Sequence, residues 1–246
     1  EAMSAFALFR HHVRMLARPG RLFLVTLLAA TPAGVLLVGG LAESSPPSDV
    51  AGLVANIGAR TFPIVALILA SSTLRDERDD GTLPYLYMSP IPRPVMALAS
   101  IAAGMTVTAL VGVVAAAAIT ASSALVGADV GFGLAAFPAY VVAAFGYAPL
   151  FVPAGYLVPR VILVGLGYVI LWEQIVAYLV TGVANTSIWR FALSVYADLV
   201  PSGDGDLAGA LGPVAPGAGG GVAKVAVVAV VGWALLTWAL RRRDAM

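Results

Sequence analysis

Long apolar runs separated by short polar ones divide the chain into six stretches of membrane-spanning length: residues 22–42, 50–74, 95–126, 132–158, 161–183 and 222–240. About 20 residues at 1.5 Å each cover the roughly 30 Å of a hydrocarbon core, so each stretch predicts a transmembrane helix. The third exceeds that need and predicts a tilted helix or one that projects beyond the bilayer. The fourth carries Pro138, Pro149 and Pro153. Each removes a backbone donor and predicts a bend or a break. The fifth follows the fourth after only Pro159 and Arg160, a very tight return.

The polar intervals have their own periodicity. In residues 4–18, Phe6, Phe9, Val13 and Leu16 form an apolar stripe beside Arg10, Arg14 and Arg18, which recur every four residues. That pattern predicts a helix lying in the headgroup layer. Residues 75–94 hold the densest charge in the chain, from Arg75 to Asp80. These ions cannot sit in hydrocarbon, so the chain must leave the bilayer there. Gly81 can take positive φ and stop the preceding helix, and Thr82 can cap a new one, with Leu83, Leu86 and Tyr87 on one apolar face. Pro90, Pro92 and Pro94 then force an extended path. In residues 184–221, Trp189, Leu193, Tyr196 and Val200 mark a short helix over 186–200 in or on the far leaflet, followed by glycine- and proline-rich loops at 201–206 and 212–221. The fold class is therefore all-α integral membrane: six transmembrane helices, an amphipathic interfacial helix at the start, a short helix between helices 2 and 3, and a helical excursion between helices 5 and 6.

Composition agrees, with 60% apolar and 11% charged residues and a mean hydropathy of +0.94. A formal charge of +1 and the lack of a basic stripe interleaved with aromatics argue against nucleic acid. Cysteine is absent, which excludes disulfides, thiolate nucleophiles and Cys-ligated metal. Thirteen arginines to one lysine, amid heavy Ala, Gly and Val usage, point to a high-GC bacterial genome. Met3 reads as the native start, and no basic lead into a short apolar core predicts a cleavable signal. With both termini inside, eleven of the fourteen basic residues lie on the cytoplasmic face; Arg60, Arg190 and Lys224 do not. The positive-inside rule then gives a multi-pass protein of the bacterial inner membrane with residues 75–94 in the cytosol.

The order of charged run, Gly81-Thr82-Leu83, and Pro90-x-x-Arg93 entering the next span resembles the membrane subunit of type-2 ATP-binding-cassette (ABC) transporters, mostly exporters. The layout of the whole chain is similar to that family, though residue identity covers only about twenty positions. Pro84 and Ser100 depart from its pattern, which commonly has an acidic or polar residue at the first and Lys at the second. The resemblance implies that residues 75–94 form a coupling helix seated on a nucleotide-binding subunit, with roles for Glu77, Asp79, Asp80, Gly81, Thr82, Leu83, Leu86 and Arg93. It implies two cytosolic ATPase subunits, a second permease (identical or a paralogue) and surrounding lipid as partners, and alternating access as mechanism.

The chain carries no phosphate-cradling G-x-x-x-x-G-K-[ST], since Ala223 precedes Lys224 and Val225 follows it. No cofactor is expected here, and ATP and Mg belong to the partner. Catalytic residues are not expected either: H-E-x-x-H and G-x-S-x-G are missing and no span contains His. His11 and His12 have no third ligand at metal spacing and read as headgroup-facing. Within the spans Asn56, Arg60, Glu173 and Gln174 are the notable polar groups, and intramembrane ions mark functional sites by default. Arg60 is 14 residues from Leu74 and Glu173 is 13 from Arg160, so both lie about 20 Å from the same face. They are expected to pair across spans two and five, either as a static tie or on the translocation route. The function expected is a permease subunit exporting a hydrophobic or amphipathic substrate. A channel or a scaffold that recruits a cytosolic partner is the alternative.

Overall fold

The computed structural model describes residues 5–43, 49–176, 186–201, 207 and 217–243. Among them there are helices and no strands. Four helices are long and apolar enough to cross a membrane, and a bent pair adds a fifth.

α1 (Ala5–Leu16) packs on α6 and α4. Its fully buried residues are Leu8, His12 and Leu16; of the expected apolar stripe, Leu16 is buried, Phe9 and Val13 pack partly buried against the core, and Phe6 is 70% exposed. The expected first span is two helices, α2 (Pro19–Ala29) and α3 (Thr31–Glu43), bent by 50°. Pro32 is the cause: it offers no N–H to the Leu28 carbonyl. The Thr31 hydroxyl donates to that oxygen instead, at 2.7 Å.

α4 (Val50–Asp79) runs five residues past the expected end of span two, so the charged run is helical and not loop. Its charges find partners by helical spacing or from α2: Arg75 reaches Asp79 at 3.2 Å, and Arg21 of α2 reaches Asp76 at 2.7 Å. α5 (Leu83–Tyr87) is a single short turn of helix before α6 (Arg93–Leu125). α7 (Gly131–Leu157) stays one helix through all three prolines, contrary to a break. Pro153 deprives the Pro149 carbonyl of its helical donor. The last helix presses its backbone against that oxygen at Gly232, where a Cβ would lie only 2.2 Å away.

α8 (Val161–Gly167) continues into a wider π-helical segment, Tyr168–Val176, and residues 177–183 of the expected fifth span lie outside the described residues. α9 (Ile188–Leu199) is the expected excursion, capped by the Ser187 hydroxyl, which accepts from Arg190 N–H at 3.2 Å. It is buried without interruption from Ile188 to Tyr196, wedged between α7 and the last helix, α10 (Gly217–Arg243). It is thus an inserted helix, not one resting on a surface. Of the loop expected at 212–221, Gly217 to Gly221 form the first turn of α10, started by Asp198 accepting from Ala218 N–H at 2.7 Å. The rest of the residue 202–216 interval, apart from Leu207, lies outside the described residues.

Candidate functional site

Two polar clusters interrupt this apolar bundle. The first is the turn between α4 and α6, and local chemistry builds it. Gly81 has φ +69°, the left-handed conformation that glycine adopts without strain. Its N–H donates to Arg78 O at 3.2 Å and Thr82 N–H to Glu77 O at 2.9 Å, the paired bonds of a Schellman end. The Thr82 hydroxyl donates to the same Glu77 oxygen at 3.1 Å, and α5 has no side-chain cap. Thr82 therefore closes the old helix instead of opening the new one.

Leu83 and Leu86 lie on one face of α5 as their spacing predicts, but that face is buried in this chain together with Ile91. They seat the turn on the bundle. Glu77 is also turned inward. It is 4% exposed, and its Oε1 lies 2.9 Å from His12 Nε2 and 3.5 Å from His11 Nε2. The headgroup-facing role expected of His12 fails for the same reason, since an ionisable carboxylate at the bundle's edge needs a nearby polar partner. Arg93 braces the turn, donating to Tyr87 O at 3.1 Å with its guanidinium 5.0 Å from that ring's centre. What faces outward is Asp79, Asp80, Gly81, Thr82 and Pro84, with Met88 at 72% exposure.

The turn is fastened to four other elements. His12 ties it to α1, and Arg21 ties the end of α4 to α2 through Ser72 and Asp76 at 2.7 Å each. The Tyr87 and Tyr156 hydroxyls share a hydrogen bond, and Arg78 donates to Tyr156 O at 3.3 Å, which ties it to α7. From α10, Trp233 donates to Pro94 O at 2.9 Å. A cleft of about 700 Å³ separates the turn from α1.

The second cluster gathers around Glu173 in the π-helical segment. Its carboxylate accepts from Tyr168 OH at 3.0 Å, Ile188 N–H at 3.1 Å and the Ser187 hydroxyl. Two of those donors belong to the start of α9, so one side chain ties the π segment to the inserted helix. Gln174 donates to Ala59 O at 2.7 Å. That carbonyl is the one Pro63 leaves without a helical donor, so Gln174 repairs the proline gap of α4 from outside. Asn56 donates back to Gly52 O at 2.8 Å and, with Glu173, Gln174 and Arg190, borders a cavity of about 90 Å³.

The expected Arg60–Glu173 pair does not form. Arg60 is exposed and takes part in no ion pair among the described residues. Counting residues gave the right height but not the direction. The cation near Glu173 is Arg190, 8% exposed, which sequence reasoning left among the exceptions to positive-inside. That exception was the signal: Arg190 is buried, and Lys224, another, lies 5.2 Å from the Phe191 ring centre. Arg21, Ser187 and Tyr156 carried no comparable mark, because each acquires its role only through a partner distant in sequence.

Residues 20–183, about two thirds of the chain, match a family model described as ABC-2 family transporter protein, a range that includes the turn and Glu173. No curated protein matches the chain.

Proposed function

The chain belongs to the ABC-2 family of transporter proteins, and from that premise we propose that it is the permease subunit of an ATP-driven exporter. The six spans correspond to α2–α3 as one bent span, α4, α6, α7, α8 with the π segment, and α10. α1 lies in the headgroup layer, both termini are cytoplasmic, and the turn faces the cytosol of the cell that holds the protein in its inner membrane. ATP and Mg bind to two separate ATPase subunits, and a second permease, identical or a paralogue, completes the pathway.

The observation that carries this reading is the turn itself. Its outward residues form a small knob around Met88, while its inward side is bonded to α1, α7 and α10. Displacing such a knob moves several rods together, as alternating access requires, since packed helices shift as bodies rather than deform. Asp79, Asp80, Gly81 and Thr82 meet the ATPase, with Pro84 and Met88 added to them. Leu83, Leu86, Glu77 and Arg93 transmit. Asn56 and Arg60, on the exposed face of α4, border the route, and Glu173 with Gln174 holds its wall. So few intramembrane ions favour a hydrophobic or amphipathic cargo.

Co-purification with the ATPase encoded beside this gene tests the reading. Wild type retains the ATPase, and Met88→Asp loses it while its thermal unfolding stays unchanged. Equal retention by Met88→Asp, or no ATPase bound to wild type, overturns the proposal.

A further inference from the structure

The cleft between α1 and the turn has two walls of opposite charge. Arg14 of α1 and Arg18, in the extended link between α1 and α2, stand on one side, and Glu77 and Asp80 stand on the other. Arg21, Arg75 and Arg78 each have a carboxylate, whereas neither Arg14 nor Arg18 joins an ion pair among the described residues, and neither does Asp80. Glu77 is 4% exposed, and while its Oε1 serves the histidines its Oε2 is buried with no hydrogen-bond partner. An acceptor left so in a native fold calls for an explanation. Met15 and Leu86 give the same cleft an apolar border.

We propose that this cleft binds the headgroup of a phosphatidylethanolamine. The phosphodiester sits on the Arg14 and Arg18 guanidiniums, whose planar donor arrays match phosphate oxygens. The primary ammonium donates to Asp80 and to Glu77 Oε2, and the glycerol end lies on Met15 and Leu86. A choline headgroup carries the same charges but has no N–H to give, so it leaves Glu77 Oε2 unserved. A phosphatidylglycerol headgroup brings no cation to the two carboxylates. The source is a lipid because Arg18 directly precedes α2, the first apolar helix, which sets the cleft at headgroup depth; this rests on the reading of α1 as an interfacial helix.

The test is titration of tail-labelled phosphatidylethanolamine and phosphatidylcholine with identical acyl chains into the full chain, held in phosphatidylcholine nanodiscs. Charge-assisted hydrogen bonds from the ammonium predict at least about tenfold tighter binding of phosphatidylethanolamine. Asp80→Asn, a surface change, brings that lipid toward the phosphatidylcholine level, and Arg14→Gln with Arg18→Gln weakens both lipids. Arg10→Gln, on the same helix but outside the cleft, changes neither, which separates a site from general attraction of basic residues. Equal binding of the two lipids overturns the proposal, as does an Arg10→Gln loss as large as that of the double variant. Displacement by soluble phosphoethanolamine as readily as by lipid also overturns it, since the occupant is then a free headgroup. No ATPase or transport enters this measurement, so its failure and that of the exporter reading are separate results.

Discussion

Glu77 and Glu173 are both buried carboxylates, 4% and 8% exposed, on helices of one small membrane protein, yet their surroundings differ in kind. Glu173 accepts from three neutral donors, two of them at the start of α9, and borders a cavity of only about 90 Å³. Glu77 serves imidazoles through one oxygen, has nothing on the other, and borders a cleft of about 700 Å³. The contrast follows the solvent. At membrane depth no water can complete a half-served carboxylate, so the fold must saturate it. Near the interface one oxygen can be left for an incoming group. A saturated acid is a fastener, and a half-served one is a place to bind.

The sharpest way to break this comparison is to remove Glu173. Glu173→Leu strands the Tyr168 and Ser187 hydroxyls and Ile188 N–H together, a loss of about 3 kcal/mol at the usual cost of unmade buried hydrogen bonds. Glu173→Gln keeps an acceptor oxygen and loses about 1 kcal/mol. Thermal unfolding of the purified protein in detergent should rank wild type, Gln, then Leu. Equal stability of Leu and Gln would mean that the three bonds do not act as a fastener. The corresponding change at the other cluster is smaller. His12→Leu leaves Glu77 with only the more distant His11 and costs about 2 kcal/mol, since one bond to the carboxylate is lost rather than three. A His12→Leu loss larger than that of Glu173→Leu would invert the ranking and with it the argument from solvent.

How far the sequence foretells these two clusters follows from what each depends on. Hydropathy located the long helices within a few residues, because a span is set by its own composition: 95–126 against Arg93–Leu125, and 132–158 against Gly131–Leu157. The left-handed Gly81 was legible too, since only backbone sterics decide it. Periodicity marked the apolar stripe of α1 but missed the buried His12, because it counts apolar side chains only. It could not know that a carboxylate 65 residues away makes His12 the residue to bury. The Arg60–Glu173 pairing failed on azimuth. A π-helix closes i→i+5 bonds, so each side chain after Tyr168 is rotated away from where 3.6 residues per turn would put it. The bend at Pro32 was a local signal, a proline one residue inside α3, and the reading of 22–42 as one run passed over it.

A milder test separates repair from fastening within the second cluster. Gln174→Leu leaves Ala59 O without its donor, at a cost of about 1 kcal/mol. In a Pro63→Ala background the helix supplies that donor itself, so the same substitution should cost much less. A double-mutant cycle read by unfolding gives the coupling directly. Additive losses would show that Gln174 stabilises the chain by some route other than the proline gap.

The smallest expected effect concerns Arg60, and it decides whether two polar groups at the same height must belong to one device. Arg60 is exposed and joins no ion pair among the described residues, while Glu173 spends its oxygens on three other donors. Arg60→Ala should therefore change stability by no more than about 0.5 kcal/mol, as exposed substitutions do. Exchanging the charges, with Arg60→Glu and Glu173→Arg together, should rescue nothing that Glu173→Arg alone destroys, because no contact exists to restore. Any effect of Arg60 should appear instead in transport by inside-out vesicles, where a cation on the open face of α4 meets cargo and not the wall. Rescue in the exchanged variant would place the two residues in contact and dissolve the distinction between fastener and surface on which the comparison rests.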